Sequence, residues 1–216
     1  MGSHLGVASS RQGSAEIWYA WVGDHVPDID RFSRELLSDQ EQAHLAGYRV
    51  REAGERYVVT RSLVRAVLSE RLSISPRSIQ VGRTETGKPV ISQGIHFNVS
   101  HSGDLILMAV SEARAVGVDV ERKREVQRVD AMLRRWLSEE EQAAHASLHQ
   151  GGASPSEAFL RLWSLKEARL KALGVGISGA LRGPLDIVRA FPLHNLLERL
   201  GAQRLDAGYV GAIAFA

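Results

Sequence analysis

The sequence predicts a mixed helical and β protein built from two related halves. Short β-like runs and longer amphipathic stretches come in blocks along the 216 residues rather than in strict alternation. A heptapeptide also returns one hundred positions on: Leu37-Ser38-Asp39-Gln40-Glu41-Gln42-Ala43 is echoed by Leu137-Ser138-Glu139-Glu140-Glu141-Gln142-Ala143. Both copies carry the Ser-x-x-Glu pattern of a helix capping box. The box is common enough that chance also produces such an echo.

The elements come in this order. Residues 16–22 (EIWYAWV) read as a strand, and 31–48 and 53–72 as amphipathic helices. Ser75-Pro76 breaks the second helix. After the turn Gly87-Lys88-Pro89 come three β-like runs at 96–100, 105–110 and 115–121, the first two joined by Ser102-Gly103-Asp104. Helical periodicity resumes over 128–149, then gives way to a loop at 151–153. Ser154-Pro155-Ser156-Glu157 combines an N-cap serine, a proline at the first helical position and a glutamate three residues after the cap. That helix is expected to run to about Leu173 and stop at Gly174. Residues 1–13 are small and polar with no apolar core, so they are expected to be a disordered arm or an expression remnant rather than a signal peptide.

Composition narrows the chemistry. Cysteine is absent, which excludes disulfides, thiol nucleophiles and cysteine-based zinc sites and fits a reducing, cytoplasmic setting. No segment is long and apolar enough to span a membrane. A net charge of +2 favours an acidic partner or a phosphorylated ligand without requiring nucleic acid.

Three segments carry candidate chemistry. In Val116-Gly117-Val118-Asp119-Val120-Glu121, period-two alternation sends the valines to one face and Asp119 and Glu121 to the other, with α-carbons roughly 6–7 Å apart. Such a pair suits one hard, oxygen-seeking cation, or else a solvated acidic edge. In the well-capped helix, Phe159, Leu162, Trp163, Leu170 and Leu173 form an apolar stripe with Lys166 in its middle. An ammonium there must either reach solvent along its stem or meet a buried anion. Glu167 and Lys171 lie four apart on the stripe's flank, either as a surface ion pair or as two groups delivered by one helix face. In Phe97-Asn98-Val99-Ser100-His101-Ser102-Gly103 a strand ends in a donor-rich turn, which either cradles a phosphate or leaves His101 merely exposed.

Taken together and in order, these segments resemble the signature of the Sfp-type 4'-phosphopantetheinyl transferases: Gly-Lys-Pro, Asn-x-Ser-His-Ser-Gly, Gly-x-Asp-x-Glu and Trp-Ser-x-Lys-Glu-Ala-x-x-Lys. The resemblance implies an α+β fold of two similar subdomains, 14–112 and 113–216, related by pseudo-twofold symmetry with the ligand at their interface. It implies magnesium, with manganese as a substitute, held by Asp119, Glu121 and Glu167. Coenzyme A is the implied co-substrate, and an acyl or peptidyl carrier protein the implied acceptor. Three carboxylates about 4 Å apart repel by roughly 4 kcal/mol per pair at an effective dielectric of 20, so they need such a cation. On the same resemblance Glu167 is the base for the carrier serine, directly or through water, and Lys171 neutralises the pyrophosphate. Ser100 and His101 look like phosphate donors, His101 counting also as a catalytic group, with Asn98 and Asp119 beside them. Arg83, Lys88 and Pro89 fall at the nucleotide end, and Arg51 and Arg56 toward the 3'-phosphate. Glu41 and His44 depart from the basic residues that this position can carry in the family. The implied enzyme works as a monomer; its carrier, from fatty acid, polyketide or nonribosomal peptide synthesis, is not specified.

Two other readings compete. Acidic residues with a lysine also serve a metal-dependent phosphoesterase acting on coenzyme A or a related nucleotide. A non-catalytic module could use Arg122-Lys123-Arg124 and Arg134-Arg135 to grip an acidic partner. Nucleic acid is disfavoured as that partner, because no aromatic residues interleave with the bases as a stacking platform requires.

Overall fold

The computed structural model describes residues 8–12, 14–175, 190–192 and 208–216. Strand β1 (Ala8–Gln12) pairs antiparallel with β2 (Ala15–Trp21), so part of the expected disordered arm is an edge strand instead. Then come α1 (Val22–His25), a 3-10 turn, α2 (Ile29–Glu35), α3 (Asp39–Leu45) and the long α4 (Arg51–Leu72). The helix expected over 31–48 is therefore two helices. Ser38 interrupts it because its side chain accepts from the Glu41 N–H while Glu41 reaches back to the Ser38 N–H, a completed capping box that starts a new helix.

A small hairpin of β3 (Gly82–Arg83) and β4 (Pro89–Val90) carries the Gly-Lys-Pro turn, and β5 (His96–Ser102) and β6 (Leu105–Ser111) come next. Only Gly103 and Asp104 separate the last two, and Gly103 takes φ +57°, a value that favours glycine. Strand β7 (Val116–Arg122) precedes α5 (Val129–Trp136), α6 (Glu139–Gln150) and α7 (Pro155–Leu173), and β8 (Ala190–Pro192) and β9 (Tyr209–Phe215) complete the described chain. The helix expected over 128–149 is again split, at Ser138, by the same capping box with Glu141. Helix α7 begins and ends as its sequence predicts, with Ser154 accepting from the Glu157 N–H and Gly174 at φ +70°.

The arrangement is α+β, with two wholly antiparallel main sheets ordered β1-β2-β6-β5 and β7-β9-β8. Ile17, Leu105, Leu107, Val116, Val118, Val120, Ile213 and Phe215 pack as one buried cluster between them. On the outer face of the first sheet, Ile106, Met108 and Val110 meet Val59, Leu63 and Val67 of α4. Strand β6 is thus buried on both faces, which is why it is an unbroken apolar run. The opposite face of β7 and β9 takes α7 through Ala168, Ala172, Ala212 and Ala214. No helix among the described residues is long and apolar enough to cross a membrane.

Candidate active site

The site begins at Gly117. A Cβ there would lie 2.1 Å from the Ala168 carbonyl oxygen and 2.3 Å from the Ala172 nitrogen, both backbone atoms that cannot swing aside. Glycine in this strand therefore lets α7 lie directly on β7. The alternation expected for β7 holds: its valines enter the core between the sheets, and Gly117, Asp119 and Glu121 take the other face, toward α7. The short inter-element distance brings Glu167 and Lys171, one turn apart on α7, to those carboxylates. Lys171 Nζ lies 2.6 Å from Asp119 Oδ1, 3.1 Å from Ser100 Oγ and 3.3 Å from the Val118 carbonyl oxygen.

Strand β5 supplies the other wall. It is the edge of the first sheet and β7 the edge of the second, and they run side by side joined by side chains rather than by a backbone ladder. Val118 N–H donates to Asn98 Oδ1 (3.0 Å), Val120 N–H to Ser100 Oγ (3.3 Å) and Arg122 N–H to Ser102 Oγ (3.0 Å). The constant spacing sets the strands parallel and places Asn98, Ser100 and Ser102 on the β7 side. Asn98, expected among the coenzyme A contacts, is buried with its oxygen engaged in this seam. Val99 and His101 point the other way, into a cleft of about 1140 Å³.

That cleft is rich in cations. Arg56, Arg61, Arg77, Arg83, His44 and His101 border it, with Tyr48 and Tyr57. His101 keeps contact with solvent, but partial desolvation and the charges of Arg56 and Lys171 hold its pKa below the ordinary histidine value. Glu41 and His44, the departures noted in the sequence, both face it. Glu41 is buried and paired with Arg65 and Arg61, while His44 packs against Tyr48 and Tyr57 at centroid distances of 5.5 and 5.1 Å.

Not every expected residue reaches the cleft. Arg51 is 80% exposed and pairs with Glu55 one turn away. Lys88 Nζ donates to the Ala172 and Val116 carbonyl oxygens at 2.9 and 3.3 Å, pinning the hairpin to α7 and β7, and burial pulls its pKa down. Pro89 pairs with Arg83 in the hairpin, and Arg83 itself borders the cleft while donating to the Gly87 carbonyl oxygen. Of the two alternatives for Lys166, the structure has the buried anion: its Nζ lies 2.8 Å from Glu141 Oε2, both side chains almost wholly enclosed. Leu173, expected on the apolar stripe, is exposed, although Ala172 beside it is still buried against the sheet.

The electrostatics of the carboxylates bear on a cation. Burial pushes the Asp119 pKa up against the opposing pull of Lys171 and Ser100. Glu167 is pushed up to about 7, chiefly by burial, with Lys171 opposing and the charges of Asp119 and Glu121 adding to the rise. Among the described residues, no group of three or more histidine, aspartate and glutamate side chains is gathered closely enough to hold a metal ion as it stands. Protein cations stand there instead: Lys171 on Asp119, and Arg124 on Glu121 Oε2 at 2.8 Å. Two buried oxygens, Asp119 Oδ2 and Glu167 Oε1, nevertheless have no hydrogen-bond partner. Buried unpartnered carboxylate oxygens are costly, and hard oxygen donors from a strand and a facing helix fit a divalent cation.

Sequence reasoning assigned no role to Gly117, Ser102, Glu141 or the cleft residues Arg77 and Tyr57. A glycine between valines in a strand is a signal of close approach. The alternation Asn98, Ser100, Ser102 is likewise visible as period two. The cleft residues carry no local signal, because they come from separate elements.

A model described as the 4'-phosphopantetheinyl transferase superfamily matches residues 115–204, and one described as the 4'-phosphopantetheinyl transferase N-terminal region matches residues 27–113. The chain belongs to the 4'-phosphopantetheinyl transferase superfamily. Among its relatives, a phosphopantetheinyl transferase of Thraustochytrium sp. is 31% identical over 184 residues, covering 78% of this chain and 64% of the relative. The 4'-phosphopantetheinyl transferase psf-1 of Bacillus pumilus is 34% identical over 152 residues, covering 68% and 62%. HetI of Nostoc sp., of the same description, is 31% identical over 147 residues, covering 66% and 61%. The chain thus spans roughly six tenths of the length of these relatives.

Proposed function

We propose that this protein transfers the 4'-phosphopantetheine group of coenzyme A to a serine hydroxyl of an acyl or peptidyl carrier protein. The observation that carries the reading is the meeting of Asp119, Glu121, Glu167 and Lys171 across one strand–helix contact, beside a cleft lined by arginines. Family membership supports the reaction, and the geometry supports the roles given to the residues below.

In this reading Asp119, Glu121 and Glu167 hold magnesium, or manganese in its place, with Asp119 Oδ2 and Glu167 Oε1 as the oxygens that lack other partners. Bound there, the ion supplies charge neutralisation for a diphosphate. Glu167 accepts the proton of the carrier serine, directly or through water. The serine oxygen forms a bond to the β-phosphorus, the bond from that phosphorus to the bridging oxygen breaks, and adenosine 3',5'-bisphosphate leaves. Lys171 neutralises charge on that bridging oxygen. His101, Arg56 and Arg83 face the cleft where the nucleotide phosphates lie, and Arg61 and Arg77 join them there.

The two halves, 14–112 and 113–216, are read as subdomains related by a pseudo-twofold axis, with the site at their interface. Element order supports this. Each half runs strand, helix, serine-capped helix, long helix, strand, strand, and in each sheet the last of those strands lies between the other two. One chain then carries both walls of the site and works as a monomer, in a reducing cytoplasmic compartment.

The test is mass spectrometry of several apo carriers after incubation with coenzyme A and magnesium. A phosphopantetheine mass gain on a carrier serine is expected. Release of adenosine 3',5'-bisphosphate with no carrier present would instead mark a phosphoesterase, and the absence of both results would point to a non-catalytic binding module.

A further inference from the structure

We propose that Ser102 is a positioning residue for Glu121, acting through the side-chain seam that joins strand β5 to strand β7. The inference rests on the proposed function, in which Glu121 is an ion ligand. Its basis is a repeated unit. Ser100 Oγ accepts the Val120 N–H and donates to Asp119 Oδ1 at 2.9 Å. Ser102 Oγ accepts the Arg122 N–H at 3.0 Å and donates to Glu121 Oε2 at 3.2 Å. Each serine therefore takes the N–H next after a carboxylate residue and returns its own hydrogen to that carboxylate.

A hydroxyl has one hydrogen to donate and two lone pairs to accept with. Once the N–H of β7 fills an acceptor position from one side, the hydroxyl hydrogen is free to turn toward the acidic side chain alongside. The donor direction is thus set by the register of the two strands. Asn98, the first member of the seam, clamps Val118 N–H next to Gly117, which has no side chain to orient. The unit repeats only where a carboxylate stands beside it.

Glu121 has more need of such help than Asp119. It carries one more rotatable bond and lies closer to solvent, so holding one rotamer costs more entropy. Arg124 meets the same oxygen, Oε2, at 2.8 Å, and Ser102 and Arg124 together fix the carboxylate from the strand side. Because Ser102 belongs to the first sheet and Glu121 to the second, the seam ties ligand orientation to how the two edge strands dock.

The experiment measures manganese binding by electron paramagnetic resonance in the presence of coenzyme A, alongside thermal unfolding, for Ser102→Ala, Ser102→Thr and a control, Ser111→Ala. Ser111 is buried at the end of β6, and its hydroxyl accepts from backbone N–H groups remote from the carboxylates. Loss of a group that orients a metal ligand weakens metal affinity by roughly 10-fold or more. We expect that loss for Ser102→Ala, recovery with Ser102→Thr, and wild-type affinity for Ser111→Ala. Should Ser102→Ala not fold, Ser102→Cys keeps the size with a weaker donor and is measured instead. Wild-type manganese affinity in Ser102→Ala, with intact binding and carrier modification by the unaltered protein, would overturn the seam's positioning role alone. Failure of the unaltered protein both to bind manganese and to modify a carrier would overturn the proposed function along with it.

Discussion

Helices α4 and α7 are held by the same device and put to different ends. Each is preceded by a short helix opened by Leu-Ser-x-x-Glu-Gln-Ala, and in each the capping glutamate is buried against a buried cation of the long helix: Glu41 with Arg65, Glu141 with Lys166. The capping glutamine also repeats, Gln42 and Gln142 each donating to the carbonyl oxygen of the leucine that opens the motif. Beyond the cation the two helices diverge. After Lys166 come Glu167 and, one turn on, Lys171, facing carboxylates on β7; after Arg65 come Ala66 and then apolar Val67 and Leu68, which enter the core. The buried ion pair thus recurs in both helices, and in the proposed reading the chemistry also uses the acidic strand and the glycine that admits α7 to it.

That comparison can be broken at several points. The largest effect is expected from Glu167→Ala or Asp119→Ala, which should lower transfer by roughly 10³-fold with the fold intact by circular dichroism. Near-normal turnover in either would remove these groups from the chemistry. Next comes Lys166→Met, which strands a buried Glu141 carboxylate and should cost about 3–5 kcal/mol in urea unfolding. Arg65→Met, at the corresponding buried pair, should cost a similar amount. If the pairs are scaffold alone, Glu141→Leu combined with Lys166→Met should restore most of the stability.

Lys171→Ala should lower kcat by roughly 10²-fold and coenzyme A affinity far less, because in the proposed mechanism its charge acts on the departing phosphate. Weakened binding with unchanged kcat would contradict that role. Gly117→Ala must push α7 off β7 and should cost about 1–3 kcal/mol, with transfer falling further than stability alone explains.

The smallest effect concerns pH. The Glu167 pKa rises on folding from an ordinary value of 4.5 to about 7, so the folded metal-free protein keeps a proton that the unfolded chain has lost. That contribution is complete below pH 4.5 and disappears as pH climbs through 7. Glu167→Gln should therefore stabilise the metal-free protein at pH 8, by roughly 2 kcal/mol, and scarcely at all at pH 4.5. Equal melting-temperature shifts at both pH values would show that the carboxylate is not held out of its charged state.

Much of this is legible residue by residue. Capping residues and glycine stops bound α7, period two on β7 separates the valines from Asp119 and Glu121, and the anomalous Lys166 calls for either a buried anion or a path to solvent without deciding between them. The two split helices read as single ones because 3.6-residue periodicity continues through a capping box, and only the box itself marks the new start. Motif resemblance points Arg51 and Lys88 at a ligand, but one faces solvent with Glu55 and the other is spent on two carbonyl oxygens. Their charges can be read from the sequence, but their directions cannot.

By itself the sequence determined most of the order of helices and strands and the face that each β7 carboxylate takes, because these depend on neighbours a few residues apart, and its four motifs in order pointed to the family. Tertiary structure alone decided that Lys166 answers Glu141, that Gly117 admits α7, and that Ser100 and Ser102 on one sheet bind carboxylates on the other. Those pairings join residues about 20–50 positions apart. Hydrogen bonds and steric contacts act over a few ångströms, so which distant groups meet is settled only when the two sheets and the long helix have packed.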